Sequence, residues 1–272
     1  GALEAEHMSL IKKFKSELVN FMGEGYALSS KASSYDVQQL NDENISNLSI
    51  SSIGDIRVLV TNPNGKSTGI DPQTEAPIED IPNSVCTFRS ESGGIHIENP
   101  IDGTYTITYF GASAQDYQIN IAYQDEEDTQ IKRLHGFCPP TQESFILNLD
   151  PSSTPQIEII PAVQAPAELQ ADPYLCNESE CTQLTWSENN ETEVGGYNVY
   201  SIGEREPYFN RVATVGAGTT TYQTDDLWSS NSSVQIMSYA VTAETNDGSE
   251  SFFSEMVQNN DRDHDGLSDE EE

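Results

Sequence analysis

Asp261, Asp263, Asp265, Asp269 and Glu272 fall at positions one, three, five, nine and twelve of a twelve-residue stretch, with Gly266 at six and Leu267 at seven. Carboxylates at that spacing, with a glycine where the chain must turn sharply and a backbone carbonyl at seven, can wrap oxygen ligands around one hard cation. No cysteine belongs to the set, which favours calcium over a softer metal. Ser268 stands at position eight, where an apolar residue is usual, and the segment upstream reads as a strand. The stretch is therefore expected to be an isolated calcium loop, with Asp261, Asp263, Asp265, the Leu267 carbonyl, Asp269 and Glu272 as ligands.

The remaining chemistry-bearing residues do not assemble a catalytic set. His96 lies in a strand pattern and His135 in a loop before Gly136, and a general base also needs a positioned partner. No H-E-x-x-H motif occurs. Carboxylate pairs such as Asp125 and Asp128 are expected to form a solvated face in a chain this acidic. The expectation is that the chain is not an enzyme. Tyr208, Phe209 and Trp228 lie in loop-like segments, where exposed aromatic rings could stack on sugars; the alternative is that they cap a small core. Cys86, Cys138, Cys176 and Cys181 form an even set without a C-x-x-C pair, which predicts two disulfides, Cys86–Cys138 and Cys176–Cys181, and an oxidising compartment. The alternative is four free thiols.

Composition narrows the partners. Asp and Glu total 45 against 12 Lys and Arg, a formal net charge of −33, which repels nucleic acid phosphates and anionic lipid. No run is apolar enough to span a membrane, so no membrane insertion is expected.

The elements that position these residues read as mostly β. The opening Gly-Ala-Leu-Glu-Ala-Glu-His-Met resembles an expression scar. Leu10, Phe14, Leu18 and Met22 recur at helical spacing, predicting an amphipathic helix over 9–22 that Gly23 and Gly25 stop. A polar linker follows to about residue 49. Ile56, Val58 and Val60 then alternate with Arg57 and Leu59, and Asn62-Pro63-Asn64-Gly65 forms a turn. Further strands are expected at 85–89, 94–98, 103–110, 117–123, 144–149 and 156–160. Pro151, Pro155, Pro161 and Pro166 mark an inter-domain connection. Seven more strands are expected at 167–170, 183–187, 197–202, 210–215, 219–224, 235–244 and 251–257, the count of an immunoglobulin-like sandwich. The fold class is thus two antiparallel β-sandwiches in tandem, with a short N-terminal helix and an acidic calcium-loop tail. The domains are 1–49 (scar, helix and linker), 50–160 (first sandwich), 161–258 (second sandwich) and 259–272 (calcium loop). Two separable thermal transitions are expected.

Three resemblances accompany this reading. Gln183-Leu184-Thr185-Trp186, Gly196-Tyr197-Asn198-Val199-Tyr200, Tyr239-Ala240-Val241-Thr242-Ala243 and Asp247-Gly248-Ser249-Glu250-Ser251 make residues 165–258 similar to a fibronectin type III domain. That resemblance implies core positions for Trp186 and Tyr239. The Cys176–Cys181 insertion departs from the family pattern, and no RGD tripeptide is present. Val60 to Pro72, Ile81-Pro82-Asn83 and Glu98 to Tyr105 make residues 50–150 resemble an accessory β-sandwich module of secreted bacterial proteins. The tail resembles a thrombospondin type 3-like calcium repeat. Together the resemblances imply a non-catalytic structural or display module string of a secreted or cell-surface bacterial protein, whose partners are the neighbouring domains of its parent. The alternative is a carbohydrate-binding or adhesive accessory region of a secreted hydrolase or adhesin, with a polysaccharide or cell-surface ligand.

Overall fold

Isoleucine, valine and tyrosine at every second position make much of residues 47–149 into strands with one apolar face. The computed structural model describes residues 46–258 except 90, 112–114, 126–127, 138–141, 154–155, 177–178, 204–205, 207 and 225–236, and only the backbone of 173–176 and 179–180. The helix expected over 9–22 and the calcium loop lie outside the described residues, and among these there is no helix.

Eleven strands build the first sandwich: β1 (Asn47–Ile53), β2 (Ile56–Thr61), β3 (Ser67–Ile70), β4 (Pro77–Glu79), β5 (Ser84–Arg89), β6 (Ser92–Glu98), β7 (Gly103–Gly111), β8 (Asp116–Gln124), β9 (Thr129–Phe137), β10 (Glu143–Leu149) and β11 (Ile157–Ile160). One sheet runs β5-β6-β1-β8-β9 and the other β11-β10-β7-β2-β3-β4, and every pairing within them is antiparallel. Register sets apolar residue against apolar residue: Ile50 faces Ile95 and Ile121, Val58 faces Tyr109, and Val60 faces Ile107. These side chains are buried in one core between the sheets. Such cross-strand pairs are the unit of sheet stabilisation.

The second sandwich has seven strands: β12 (Gln170–Cys176), β13 (Ser179–Thr185), β14 (Val194–Gly203), β15 (Asn210–Gly216), β16 (Thr221–Gln223), β17 (Met237–Thr245) and β18 (Val257–Gln258). They form a sheet β12-β13-β16 facing a sheet β15-β14-β17-β18. Trp186 and Tyr239 both lie in the core, with Leu184, Tyr197, Val199 and Val241. All the described residues belong to one compact unit that begins at Ile45.

Several segments depart from expectation, most for a physical reason; the strand expected at 167–170 is displaced to Gln170–Cys176. Residues 129–137, with His135 expected in a loop, form the edge strand β9; Ile131, Lys132 and Arg133 are all exposed, although Lys132 pairs with the buried Ile121, so the alternation that marks a half-buried strand is absent. The short strands β3 and β4 were not anticipated; β4 opens on Pro77, tolerated because β4 is an edge. The strand expected over 251–257 shrinks to Val257–Gln258, because residues 251–254 leave the ladder to reach the first sandwich.

Candidate functional site

The central strands of the sheet β15-β14-β17-β18, β14 and β17, are buried on both faces. Along β17, Tyr239, Val241 and Ala243 point into the second sandwich, while Ala240 joins a separate cluster with Tyr200, Phe209 and Phe253. Phe137 of β9 packs against that cluster from the first sandwich, 5.1 Å from Tyr200 between ring centroids. The two sandwiches therefore share an aromatic seam.

Ser251-Phe252-Phe253-Ser254 builds the seam. Ser251 donates its N–H to the Ala243 carbonyl at 2.9 Å, and its hydroxyl accepts the Ala243 N–H at 2.9 Å. Ser254 repeats the arrangement on Val241, at 2.9 and 3.0 Å. Two serine hydroxyls thus stand in for the strand carbonyls that β17 would otherwise lack, so no buried N–H of β17 at these positions is stranded. The freed backbone turns its two phenylalanines outward. Phe252 enters the core of the first sandwich, stacked on Tyr109 at 6.1 Å and edge-on to Phe145 at 5.4 Å. Phe253 fills the seam, 4.9 Å from both Tyr200 and the His135 ring, and its N–H donates to the His135 carbonyl at 2.7 Å.

His135 Nε2 lies 3.0 Å from Asp116 Oδ2, and Phe209 meets the ring edge-on at 5.5 Å. With Phe209 and Phe253 against it, the imidazole is a packed joint and not an open base. Gly136 beside it is required by packing, since a Cβ there would stand 2.7 Å from the Tyr117 hydroxyl.

Next to the aromatic seam lies a cleft of about 410 Å³, bordered by Glu143, Phe145, Val163, Asn246, Glu250 and Phe252 among others. The Glu250 N–H donates to Glu143 Oε1 at 3.1 Å, and the Tyr109 hydroxyl donates to Glu143 Oε2 at 2.9 Å. Glu250 Oε1 accepts from the Tyr200 hydroxyl at 2.5 Å, from Asn198 Nδ2 at 3.2 Å and from Thr242 Oγ1. Burial pushes both carboxyls above the usual range; the Glu250 and Asp247 charges add to the effect at Glu143, and the Glu244 charge at Glu250. Burial also pushes the Tyr200 phenol up. The cleft can accept hydrogen bonds and hold protons. Among the described residues no group of three or more His, Cys, Asp or Glu is placed to hold a metal ion.

The expected site residues are distributed differently. Tyr208 is 46% exposed, as a stacking residue would be, but Phe209 is 4% exposed. Phe209 is corrected from a ligand-binding candidate to a seam residue, because the hydrophobic gain is larger against Phe253 and His135 than in water. The predicted Cys86–Cys138 bridge is also corrected. Cys86 is a free thiol on β5, its Sγ turned toward the Gly69 and Ile78 carbonyls at 3.9 and 3.8 Å. Cys181 is disulfide-bonded, and Cys176 ends the strand paired with the one that carries it. Trp228, Cys138, Asp261, Asp263, Asp265, Leu267, Asp269 and Glu272 lie outside the described residues.

The blocks behind the accessory-module resemblance meet at one end of the first sandwich, around a cavity of about 120 Å³ bordered by Asn62, Lys66, Asn83, Asn99 and Tyr105. Their polar groups serve the loops themselves. Asn62 Oδ1 accepts the Asn64 and Lys66 N–H groups, each at 3.0 Å, and Gly65 supplies the positive φ of 74° that closes this turn. Tyr105 donates to the Ile101 carbonyl at 2.8 Å, and burial pushes its phenol up to about 12.

No family model and no curated protein matches the chain. Solved structures do. A Fn3-like protein from Clostridium thermocellum is 24% identical, over 36% of this chain and 91% of that one, with a TM-score of 0.28. A two-domain fibronectin type III segment of chicken tenascin is 11% identical over 79% and 97%, at 0.27. A beta-1,2-glucanase from Parabacteroides distasonis is 15% identical over 79% of this chain and 28% of the enzyme, at 0.28. Fibronectin type III-like domains recur among these neighbours. TM-scores this low do not establish a shared fold, and the sandwich architecture rests on the strand order above.

Proposed function

We propose that this chain is a non-catalytic structural region of a secreted or cell-surface bacterial protein, in which an accessory sandwich and a fibronectin type III-like sandwich act as one rigid spacer between neighbouring domains. The observation that carries this reading is the double anchor at Phe252 and Phe253, which ties the second sandwich into the core and the edge strand of the first. A flexible display string would leave its modules joined by linker alone. Calcium bound by Asp261, Asp263, Asp265, Leu267, Asp269 and Glu272 would stiffen the acidic end of the spacer.

Small-angle X-ray scattering tests the spacer. The wild-type curve is expected to fit one fixed arrangement of the two sandwiches, and Phe252→Ala with Phe253→Ala is expected to enlarge the radius of gyration. A wild-type curve that requires an ensemble of inter-sandwich angles would defeat the reading. Calorimetric calcium titration tests the tail. Heats at millimolar calcium should vanish in Asp261→Ala, Asp265→Ala, and equal heats from both proteins would remove the tail as a site.

A further inference from the structure

The seam brings carboxylates together without a matching cation. The cleft is bordered by Glu143, Glu193, Asp247 and Glu250, and by no Lys, Arg or His among the described residues. Glu143 belongs to the first sandwich and Glu250 to the seam segment of the second, and the Glu250 N–H reaches across to Glu143 Oε1 at 3.1 Å. Every element packed around them contributes a group. Strand β7 brings Tyr109 to Glu143, β14 brings Tyr200 to Glu250, and β17 brings Glu244. Arg211 on β15 is the cation whose charge reaches Tyr200. Across the seam, Phe253 joins the His135 backbone, and His135 in turn pairs with Asp116.

We propose that the Glu143–Glu250 contact makes the joint between the two sandwiches proton-sensitive, closing more tightly in mild acid and loosening when both carboxyls are charged. Two like charges in a partly buried cleft repel more strongly than they would in water, and protonating either one removes that repulsion while keeping the cross-seam hydrogen bond. Burial and the neighbouring acids push both carboxyls upward, so the proton is held at a higher pH in the closed joint than in the open one. The proposal rests on the seam being the rigid joint of the spacer.

Amide hydrogen exchange by NMR reads the joint directly, because the N–H groups of Glu250 and Phe253 cross it. Rates are converted to protection factors, so that intrinsic base catalysis drops out, and a chelator is present throughout. The Ile107 and Ile119 amides report the first sandwich alone. Between pH 7.5 and 5.5, protection at Glu250 and Phe253 is expected to rise several-fold more than at Ile107 and Ile119. Glu143→Gln and Glu250→Gln, made singly, should each flatten that dependence, whereas a contribution from His135 would survive both. Wild-type protection that is present but independent of pH, or a slope unchanged in the Gln variants, overturns the proposal and leaves the spacer standing. Unprotected Glu250 and Phe253 amides at every pH would overturn the spacer itself.

Discussion

Trp186 is 5% exposed and meets Tyr197 edge-on at 5.6 Å, in the core that Tyr239 also fills. Truncating a buried Trp typically costs about 3–5 kcal/mol through lost transfer energy and the cavity left behind. Trp186→Ala is therefore expected to lower the urea midpoint of this protein sharply, and an unchanged midpoint would remove Trp186 from the core. Its Nε1 has no hydrogen-bond partner among the described residues, so Trp186→Phe should be far milder than Trp186→Ala. At Cys86, burial and the adjacent Glu79 push the thiol up to about 11. Because the thiolate is the nucleophile, alkylation of native protein at pH 8 should lag well behind a small-thiol control and become fast on unfolding. Equal native and unfolded rates would show that Cys86 is open to solvent.

At the scale of the element, the segment from Ser251 to Ser254 is held by hydroxyls where a regular strand would use carbonyls. Removing one hydroxyl leaves a buried β17 N–H unsatisfied, at a cost of about 1–3 kcal/mol. Ser251→Ala and Ser254→Ala should each destabilise by that order in denaturant melts. The control is Ser152→Ala: its hydroxyl donates to Asp150 at 2.6 Å on an exposed turn, and surface changes of that kind stay within about 0.5 kcal/mol. Losses at Ser251 and Ser254 no larger than at Ser152 would mean that the segment is not anchored through these hydroxyls. Of the phenylalanines between them, Phe252 sits in the core of the first sandwich and Phe253 in the seam cluster, and removing either opens that packing.

For the whole molecule the seam changes what melting should look like. Two sandwiches joined only by a proline-rich connection would melt separately. Two that share Phe252, Phe253 and a common polar network should unfold in one calorimetric transition, with the calorimetric and van't Hoff enthalpies equal. Resolved transitions would mean that the seam is weak. The pH response has a definite sign. Glu143 and Glu250 are raised in the folded state, so their contribution is fully present below the unfolded carboxylate pKa of about 4.3 and is lost as pH rises through their folded values. Asp150 and Asp247 are lowered by hydrogen bonds, but both are fully exposed. With a net charge of −33 adding self-repulsion, the melting temperature should rise as pH falls from 7.5 toward 5. A flat or falling profile would contradict this account of the seam.

The β class and most of the strands were legible in the sequence, and of the core of the second sandwich only Trp186 and Tyr239 were implied, through the fibronectin type III resemblance. Where one face of a strand meets a core and the other meets water, as at Ile56, Val58 and Val60 or in Tyr105 to Tyr109, the pattern is local and period-two, so it is written in neighbouring residues. The edge strand β9 escaped that reading because an edge buries little and need not alternate. Hints of the seam were present in the unbroken Tyr-Ala-Val-Thr-Ala run of β17, which is how a strand buried on both faces reads. Its partners could not be identified there. Phe137, Glu143 and Tyr200 come from strands far apart in the chain, and adjacent Phe252 and Phe253 look alike in sequence though one enters a core and the other a joint. Which carboxylates are buried together, which cysteine stays free and where each phenylalanine points were decided only by tertiary packing, because burial and electrostatic coupling are properties of neighbours in space.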